Sequence, residues 1–148
     1  MLKENTGGNM LKYLGLLSIL LLSNVYADEK QFEFECRQVL LENYSRVPVS
    51  MLRKCQRVNR LPQFRCIKAI ATNYRNFPEQ IMNACMTYQN LYSSDAIETI
   101  TRRGFSPLHD SIVYQVGRIR TYYEYECVDQ YVTVSSTINA NNMRAICF

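Results

Sequence analysis

The sequence of 148 residues has no tryptophan, a single histidine (His109) and no pair of cysteines spaced as C-x-x-C. Zinc sites are built from cysteine and histidine ligands at short spacings, so we predict no bound metal and no other cofactor. The G-x-S-x-G and H-E-x-x-H motifs of hydrolases are also missing. These absences favour a protein that binds without catalysing, with a small enzyme that uses carboxylates as the alternative.

Long apolar runs are missing as well. The longest, residues 13–22, is half of the roughly 20 residues that span a bilayer. Lys3 and Lys12 precede it and a small residue, Ala27, follows it, which is typical of a secretory signal peptide. We predict a signal peptide at residues 1–27, with an uncleaved anchor as the minor alternative. The mature chain is then secreted or periplasmic and has no transmembrane span.

The mature region, residues 28–148, has the length of one domain with its own core. It contains every cysteine of the chain, and an even number of cysteines behind a signal peptide predicts disulfides in an oxidising compartment. The six residues are Cys36, Cys55, Cys66, Cys85, Cys127 and Cys147.

An internal repeat of thirty residues indicates how these cysteines pair. Cys36, Asn43, Tyr44, Pro48 and Cys55 return without a gap as Cys66, Asn73, Tyr74, Pro78 and Cys85. A later unit contains Cys127 and Cys147, with one residue added in its turn. The unit between keeps a proline, Pro107, but its cysteine positions fall at Asp95 and Tyr114. Because this unit has lost both cysteines together, we predict the pairs 36–55, 66–85 and 127–147.

Each unit has the pattern of a helix, a turn and a second helix that begins near the proline, where a missing N–H is tolerated. We therefore predict an all-α fold of about four tandem αα-hairpins, either a short solenoid or a closed helical bundle. In the third unit we expect Ser106-Pro107 to begin the second helix, a capping box from Asp95 to Glu98, and Gly104 to end the first helix.

Positive charge is concentrated in one stretch of an otherwise balanced chain. Between residues 46 and 75 there are eight basic residues and no acidic one, namely Arg46, Arg53, Lys54, Arg57, Arg60, Arg65, Lys68 and Arg75. Such a face suits an anionic partner, either a lipid headgroup or a polyanionic glycan, or an acidic protein surface. Nucleic acid is the less expected partner because export separates the protein from it. The alternative is that these side chains only solvate the outside of the helices.

Two further classes of site stay open at this point. Tyr122, Tyr123 and Tyr125 form a cluster suited to recognition, although we expect tyrosines to pack mainly in the core. A glycosidase-like pair of carboxylates is the enzyme alternative. Its candidates are Glu33, Glu35, Glu42, Glu79, Glu98 and Glu124. A structural protein of the cell envelope without a specific ligand is the third alternative.

Overall fold

The computed structural model describes residues 30–148, and the signal peptide predicted at 1–27 lies outside the described residues. This part of the chain forms eight α-helices, one short 3-10 helix and no strand. The helices are α1 (residues 30–43), α2 (Val49–Lys54), the 3-10 helix (Cys55–Arg57), α3 (Leu61–Asn73), α4 (Glu79–Cys85), α5 (Leu91–Arg103), α6 (Asp110–Val116), α7 (Tyr122–Val134) and α8 (Ala140–Cys147). The all-α prediction is confirmed.

Long and short helices alternate and pair into hairpins, α1 with α2, α3 with α4, α5 with α6 and α7 with α8. Each long helix from α3 onward packs against the next long helix, and α4 and α6 each pack against the next short one. This contact order, in which each hairpin packs on the following one, is that of a stacked solenoid. The turns inside the hairpins lie at one end of the molecule, the turn end. The connections between hairpins, residues 58–60, 86–90 and 117–121, lie at the other, the connecting end.

Three disulfides join the two helices of a hairpin: Cys36–Cys55, Cys66–Cys85 and Cys127–Cys147. Their Cα atoms are 5.5–5.6 Å apart, and no cysteine is left free. The predicted pairing is confirmed. The antiparallel hairpins explain this pairing, because each bridge joins the middle of a long helix to the end of the short helix that runs back beside it.

The third hairpin fills the place of the bridge with apolar side chains. Cys66 is the sixth residue of α3 and Cys85 the seventh of α4; the corresponding residues of α5 and α6 are Ala96 and Val116. Both are buried. The predicted equivalence with Asp95 and Tyr114 was therefore wrong. Asp95 is one residue before Ala96, and Tyr114 is two residues before Val116 because the third turn has one additional residue. Asp95 instead lies beside Arg65, and Tyr114 is exposed.

Helix ends in the second half of the chain differ from several sequence expectations. The helix α6 begins at Asp110 with His109 as its N-cap, so Ser106-Pro107 lies within the turn. Asp95 and Glu98 are in the interior of α5, which is capped by the side chain of Asn90. Gly104 does end α5, in the left-handed conformation, as expected. The residue added in the fourth unit lies in α8, because its turn has the same length as that of the second unit.

Side-chain hydrogen bonds explain why the Asn-Tyr pair recurs. The amide groups of Asn43 and Asn73 donate to backbone carbonyls four residues earlier, at 2.8 and 2.7 Å, where each long helix ends. The hydroxyl groups of Tyr44 and Tyr74 reach forward to the backbone of the next hairpin. The repeated pair therefore ends one helix and ties it to the following unit.

Candidate functional site

A groove between the first two hairpins at the connecting end collects basic and amide side chains. We call it the basic groove; it has a volume of about 670 Å³. Its lining is Lys54, Arg57, Asn59, Arg60, Gln63, Asn83, Met86 and Gln89. A volume of several hundred Å³ is ordinary for a binding site, and this lining has three cations, four amides and no carboxylate.

Local structure explains why these cations meet. The 3-10 helix follows the bridge at Cys55 and places Arg57 at the rim, and Arg60 is the N-cap residue of α3. Both arginines are exposed, and neither forms an ion pair within residues 30–148. The N-terminal end of α3 also brings the positive end of a helix dipole, which adds to their attraction for anions.

Amide hydrogen bonds hold the floor of the basic groove. The side-chain oxygen of Gln63 accepts from the backbone N–H of Asn59 at 3.1 Å, and its nitrogen donates to the Met86 carbonyl at 3.0 Å. Gln63 is buried, so it links the first connection to the second. None of the sequence patterns above predicted a role for these amides. The repeat contained a signal for them, because Asn59 and Gln89, which both line the groove, are thirty residues apart.

Lys54 lies in the basic groove but is partly neutralised. Its Nζ atom is 2.7 Å from a carboxylate oxygen of Glu79, and it also donates to the side chain of Asn83. The hydrogen bond from Lys54 lowers the pKa of Glu79. This contact joins α2 to α4, so Lys54 supports the packing of the two hairpins as well as the charge of the groove. Arg57 and Arg60 are the two cations that remain for a ligand.

Two of the predicted basic residues, on α3, already have intramolecular partners. Arg65 forms ion pairs with Asp95 at 2.8 Å and Glu98 at 2.7 Å, both on α5. The pKa of Arg65 is raised, mainly by its hydrogen bond to Glu98. The ammonium group of Lys68 lies 5.9 Å from the ring centroid of Phe64. Arg65 therefore links the second hairpin to the third. Its partners lie thirty or more residues further along the chain, and the sequence alone does not show which acidic residues face it.

The remaining three predicted residues lie elsewhere on the surface. Arg46 and Arg75 are exposed in the turns at the turn end, and Arg53 is exposed on α2. Since α4 has seven residues, its length separates the turn end from the basic groove by roughly 10 Å at 1.5 Å per residue. The structure therefore brings together Lys54, Arg57 and Arg60 and leaves the others outside the groove.

The tyrosine cluster lies on the surface, whereas the sequence led us to expect core packing. The ring centroids of Tyr92, Tyr122 and Tyr125 are 6.1–6.2 Å from one another, so the three rings form one patch. Tyr123 is mostly exposed beside them. The only fully buried tyrosine of the described residues is Tyr88, whose hydroxyl donates to the Val113 carbonyl at 3.1 Å.

The candidate carboxylates of the enzyme alternative all have partners. Glu33, Glu35 and Glu42 accept hydrogen bonds from Arg37, Gln31 and Gln38, respectively. Glu79 accepts from Lys54, and Glu98 accepts from Arg65. Glu124 accepts from the backbone N–H groups of residues 120 and 121. The pKa of Glu124 is lowered by its backbone hydrogen bonds, and that of Glu79 by Lys54. A general acid needs the opposite shift.

Metal ligands and membrane-spanning helices are both missing from the described part of the chain. Within residues 30–148, no group of three or more His, Cys, Asp or Glu side chains is arranged to hold a metal ion, and no helix is long and apolar enough to cross a bilayer. No family model, curated protein or solved structure matches this chain.

Proposed function

We propose that this chain is an exported binding protein that holds anionic oxygen groups in the basic groove. The predicted signal peptide and the three disulfides support an oxidising compartment outside the cytoplasm. The single observation that carries the binding proposal is the convergence of Arg57 and Arg60, both exposed, at a groove whose lining contains no carboxylate. Guanidinium groups bind phosphate, sulfate and carboxylate oxygens through two parallel hydrogen bonds.

The shape of the basic groove favours a group presented by a larger molecule over a small buried metabolite. The groove is open: Arg57 and Arg60 are exposed at its rim, whereas Gln63 is buried and Met86 partly buried at its floor. A phosphate on a lipid headgroup or a sulfate on a polyanionic glycan reaches such a rim without being engulfed. The four amides then provide donors and acceptors for neighbouring hydroxyl groups of the ligand.

The direct test is binding of a sulfated oligosaccharide and of vesicles containing phosphatidylglycerol, each measured by titration at low and at raised salt. The charge reversal Arg57→Glu/Arg60→Glu should lower affinity at least tenfold, because each charge-assisted hydrogen bond contributes about 1.5–3 kcal/mol. Affinity of the unaltered protein should also fall as salt rises, since exposed charges are screened. The probe that binds more tightly identifies the source of the anion.

Arg46→Glu/Arg75→Glu is the matched control, because it makes the same change of charge at the turn end. It should retain most of the affinity. If this control loses binding and the groove variant does not, the site is at the turn end and the groove proposal is wrong. If neither probe binds the unaltered protein, an anionic partner of either source is contradicted.

A further inference from the structure

Among residues 30–148, the most exposed large apolar side chains lie on the first and last hairpins. On the first hairpin they are Phe34 (67%), Leu41 (59%) and Val49 (64%), and on the last hairpin Tyr123 (81%), Val134 (83%) and Ile146 (62%). The next in order is Tyr122, at 53%. Terminal units of repeat proteins normally have polar outer faces, because no neighbour covers them. Here both outer faces carry apolar groups.

At the first hairpin, the exposed residues occupy positions that are buried one unit later. Phe34 and Leu41 correspond, thirty residues on, to Phe64 and Ala71, which are both buried. Those two residues face the preceding hairpin: the ring of Phe64 lies 6.0 Å from that of Phe32, and the Ala71 carbonyl accepts from Tyr44 at 3.3 Å. Phe34 and Leu41 therefore lie on the face that, one unit later, packs against the preceding hairpin.

An aromatic contact that recurs between neighbouring long helices indicates how a further hairpin would align with the first or the last hairpin. Tyr92, the second residue of α5, stacks on Tyr125, the fourth residue of α7, with centroids 6.1 Å apart and planes at 27°. Phe32 and Phe64 have the same places relative to the bridging cysteines, four residues before Cys36 and two before Cys66, and their centroids are 6.0 Å apart at 28°. Tyr123 is likewise four residues before Cys127, but α7 is the last long helix of the described residues. Phe34 is likewise two residues before Cys36, but no described helix precedes α1.

The short helices also make a contact between neighbouring hairpins whose counterparts lie exposed on the first and last hairpins. Lys54, the residue before Cys55, contacts Glu79, the residue after Pro78 of the next hairpin. At the ends of the chain the corresponding residues are Ile146, before Cys147, and Val49, after Pro48. Both are exposed apolar side chains. An ion pair inside the molecule thus corresponds to an apolar pair between its two ends.

We propose that this protein stacks head to tail with a second copy of itself, with the last hairpin of one copy against the first hairpin of the next. Tyr123 then stacks on Phe34 of the second copy, and Ile146 contacts its Val49, which continues the solenoid across the junction. A contact between two different faces leaves one free face at each end, so assembly proceeds beyond the dimer. None of these residues lines the basic groove, so the assembly is independent of ligand binding.

The test is sedimentation velocity of the purified protein over a range of concentrations, with Phe34→Glu and Tyr123→Glu as separate variants. The unaltered protein should show an average mass that rises past that of a dimer. Each variant alone should be monomeric, because every junction needs both faces. An equimolar mixture of the two variants should form a one-to-one dimer and stop, since only one intact junction can form.

Both substituted side chains are mainly exposed, so the variants should keep their helicity by circular dichroism and their three disulfides by peptide mapping. Tyr114→Glu, at an exposed position on α6 away from both ends, should assemble like the unaltered protein. A protein that stays monomeric at every concentration overturns the proposal. So does a dimer that survives in Tyr123→Glu but not in Phe34→Glu, because that result means two first hairpins pair with each other.

Discussion

The phenolic hydroxyl of Tyr44 donates a 2.8 Å hydrogen bond to the backbone carbonyl oxygen of Tyr74, its own counterpart in the following hairpin. Tyr74 makes the same contact one unit later, with the carbonyl of Phe105 at 2.7 Å. Phe105 has no hydroxyl group, and the link from the third hairpin to the fourth is made by Arg103, which donates to the Thr133 carbonyl at 2.9 Å. Consecutive hairpins are thus joined at the turn end by at least one forward hydrogen bond each.

Removing one hydroxyl from this series should destabilise the fold by a small and similar amount at either position. Tyr44→Phe and Tyr74→Phe keep the ring and delete only the donor, so each should lower the free energy of unfolding by about 1 kcal/mol. Denaturant titration under non-reducing conditions measures this. Tyr114→Phe, at an exposed position, is the control and should have no effect. Equal stability of all three variants would show that the hydrogen bonds of Tyr44 and Tyr74 contribute nothing.

Alkaline pH should weaken the same contact. Burial raises the pKa of Tyr44 to about 12, above its ordinary value of 10. A raised pKa in the folded state means that the unfolded state loses its proton first, so stability is complete below pH 10 and falls as pH rises towards 12. Denaturation midpoints between pH 9 and 11 should therefore decline, and less steeply in Tyr44→Phe. An identical decline in both proteins would assign the effect to other groups.

Gly117 has no room for a side chain, in contrast to Gly104. A Cβ atom on Gly117 would lie 2.5 Å from Oγ1 of Thr87 and 3.0 Å from the ring of the buried Tyr88. Gly117→Ala should cost about 1–3 kcal/mol, because the rigid ring must move. Gly104 has a φ of 71°, and a Cβ atom there would have no neighbour within 4 Å, so Gly104→Ala should cost about 1 kcal/mol through backbone strain alone.

The loss of stability in the two glycine variants is compared by their thermal unfolding midpoints. Adding Thr87→Ala to Gly117→Ala removes the closest contact and should recover part of the loss, whereas adding it to Gly104→Ala should recover nothing. A smaller loss in Gly117→Ala than in Gly104→Ala would contradict the close approach of the connection to Tyr88.

The bridge of the last hairpin should be reduced first. Cys36, Cys55, Cys66 and Cys85 are fully buried, while Cys127 and Cys147 are partly exposed. Thiol–disulfide exchange requires access to a sulfur atom, so brief mild reduction followed by alkylation should label Cys127 and Cys147 before the others. Peptide mapping reports the order. Complete reduction removes three closed loops of about 20 residues, each worth roughly 3 kcal/mol, and should unfold the chain. Earlier labelling of Cys66 or Cys85 would contradict this burial.

The repeat, the helical class and the disulfide pairing followed from the sequence because they depend on spacing along the chain. Positions such as Cys66 and Cys85 recur at a fixed spacing, and an antiparallel hairpin with that spacing places the two cysteines of a unit side by side. The helix start predicted at Ser106-Pro107 was wrong, because a local N-cap preference does not fix the length of a turn. Here the turn extends to His109, and α6 begins at Asp110.

The candidate site was predictable only in part. The sequence showed that basic residues are concentrated between positions 46 and 75, but charge along a chain does not show which side chains share a surface. Arg65 is engaged by Asp95 and Glu98 on the next long helix, and Arg46 lies at the opposite end from Arg57. The amides of the groove were indicated only by the thirty-residue spacing of Asn59 and Gln89, which does not show that the two side chains line one surface.

The position of the bridges also decides what a protease cut would do. A cut in the turns 44–48, 74–78 or 135–139 leaves both helices of that hairpin covalently joined, because a disulfide spans each of these turns. The turn at 104–109 is the exception, and the exposed Arg102 and Arg103 precede it. Trypsin-like cleavage there would divide the molecule into two fragments held only by packing. Among its four turns, the described part of the chain therefore has one point of proteolytic weakness, in the hairpin that lacks a bridge.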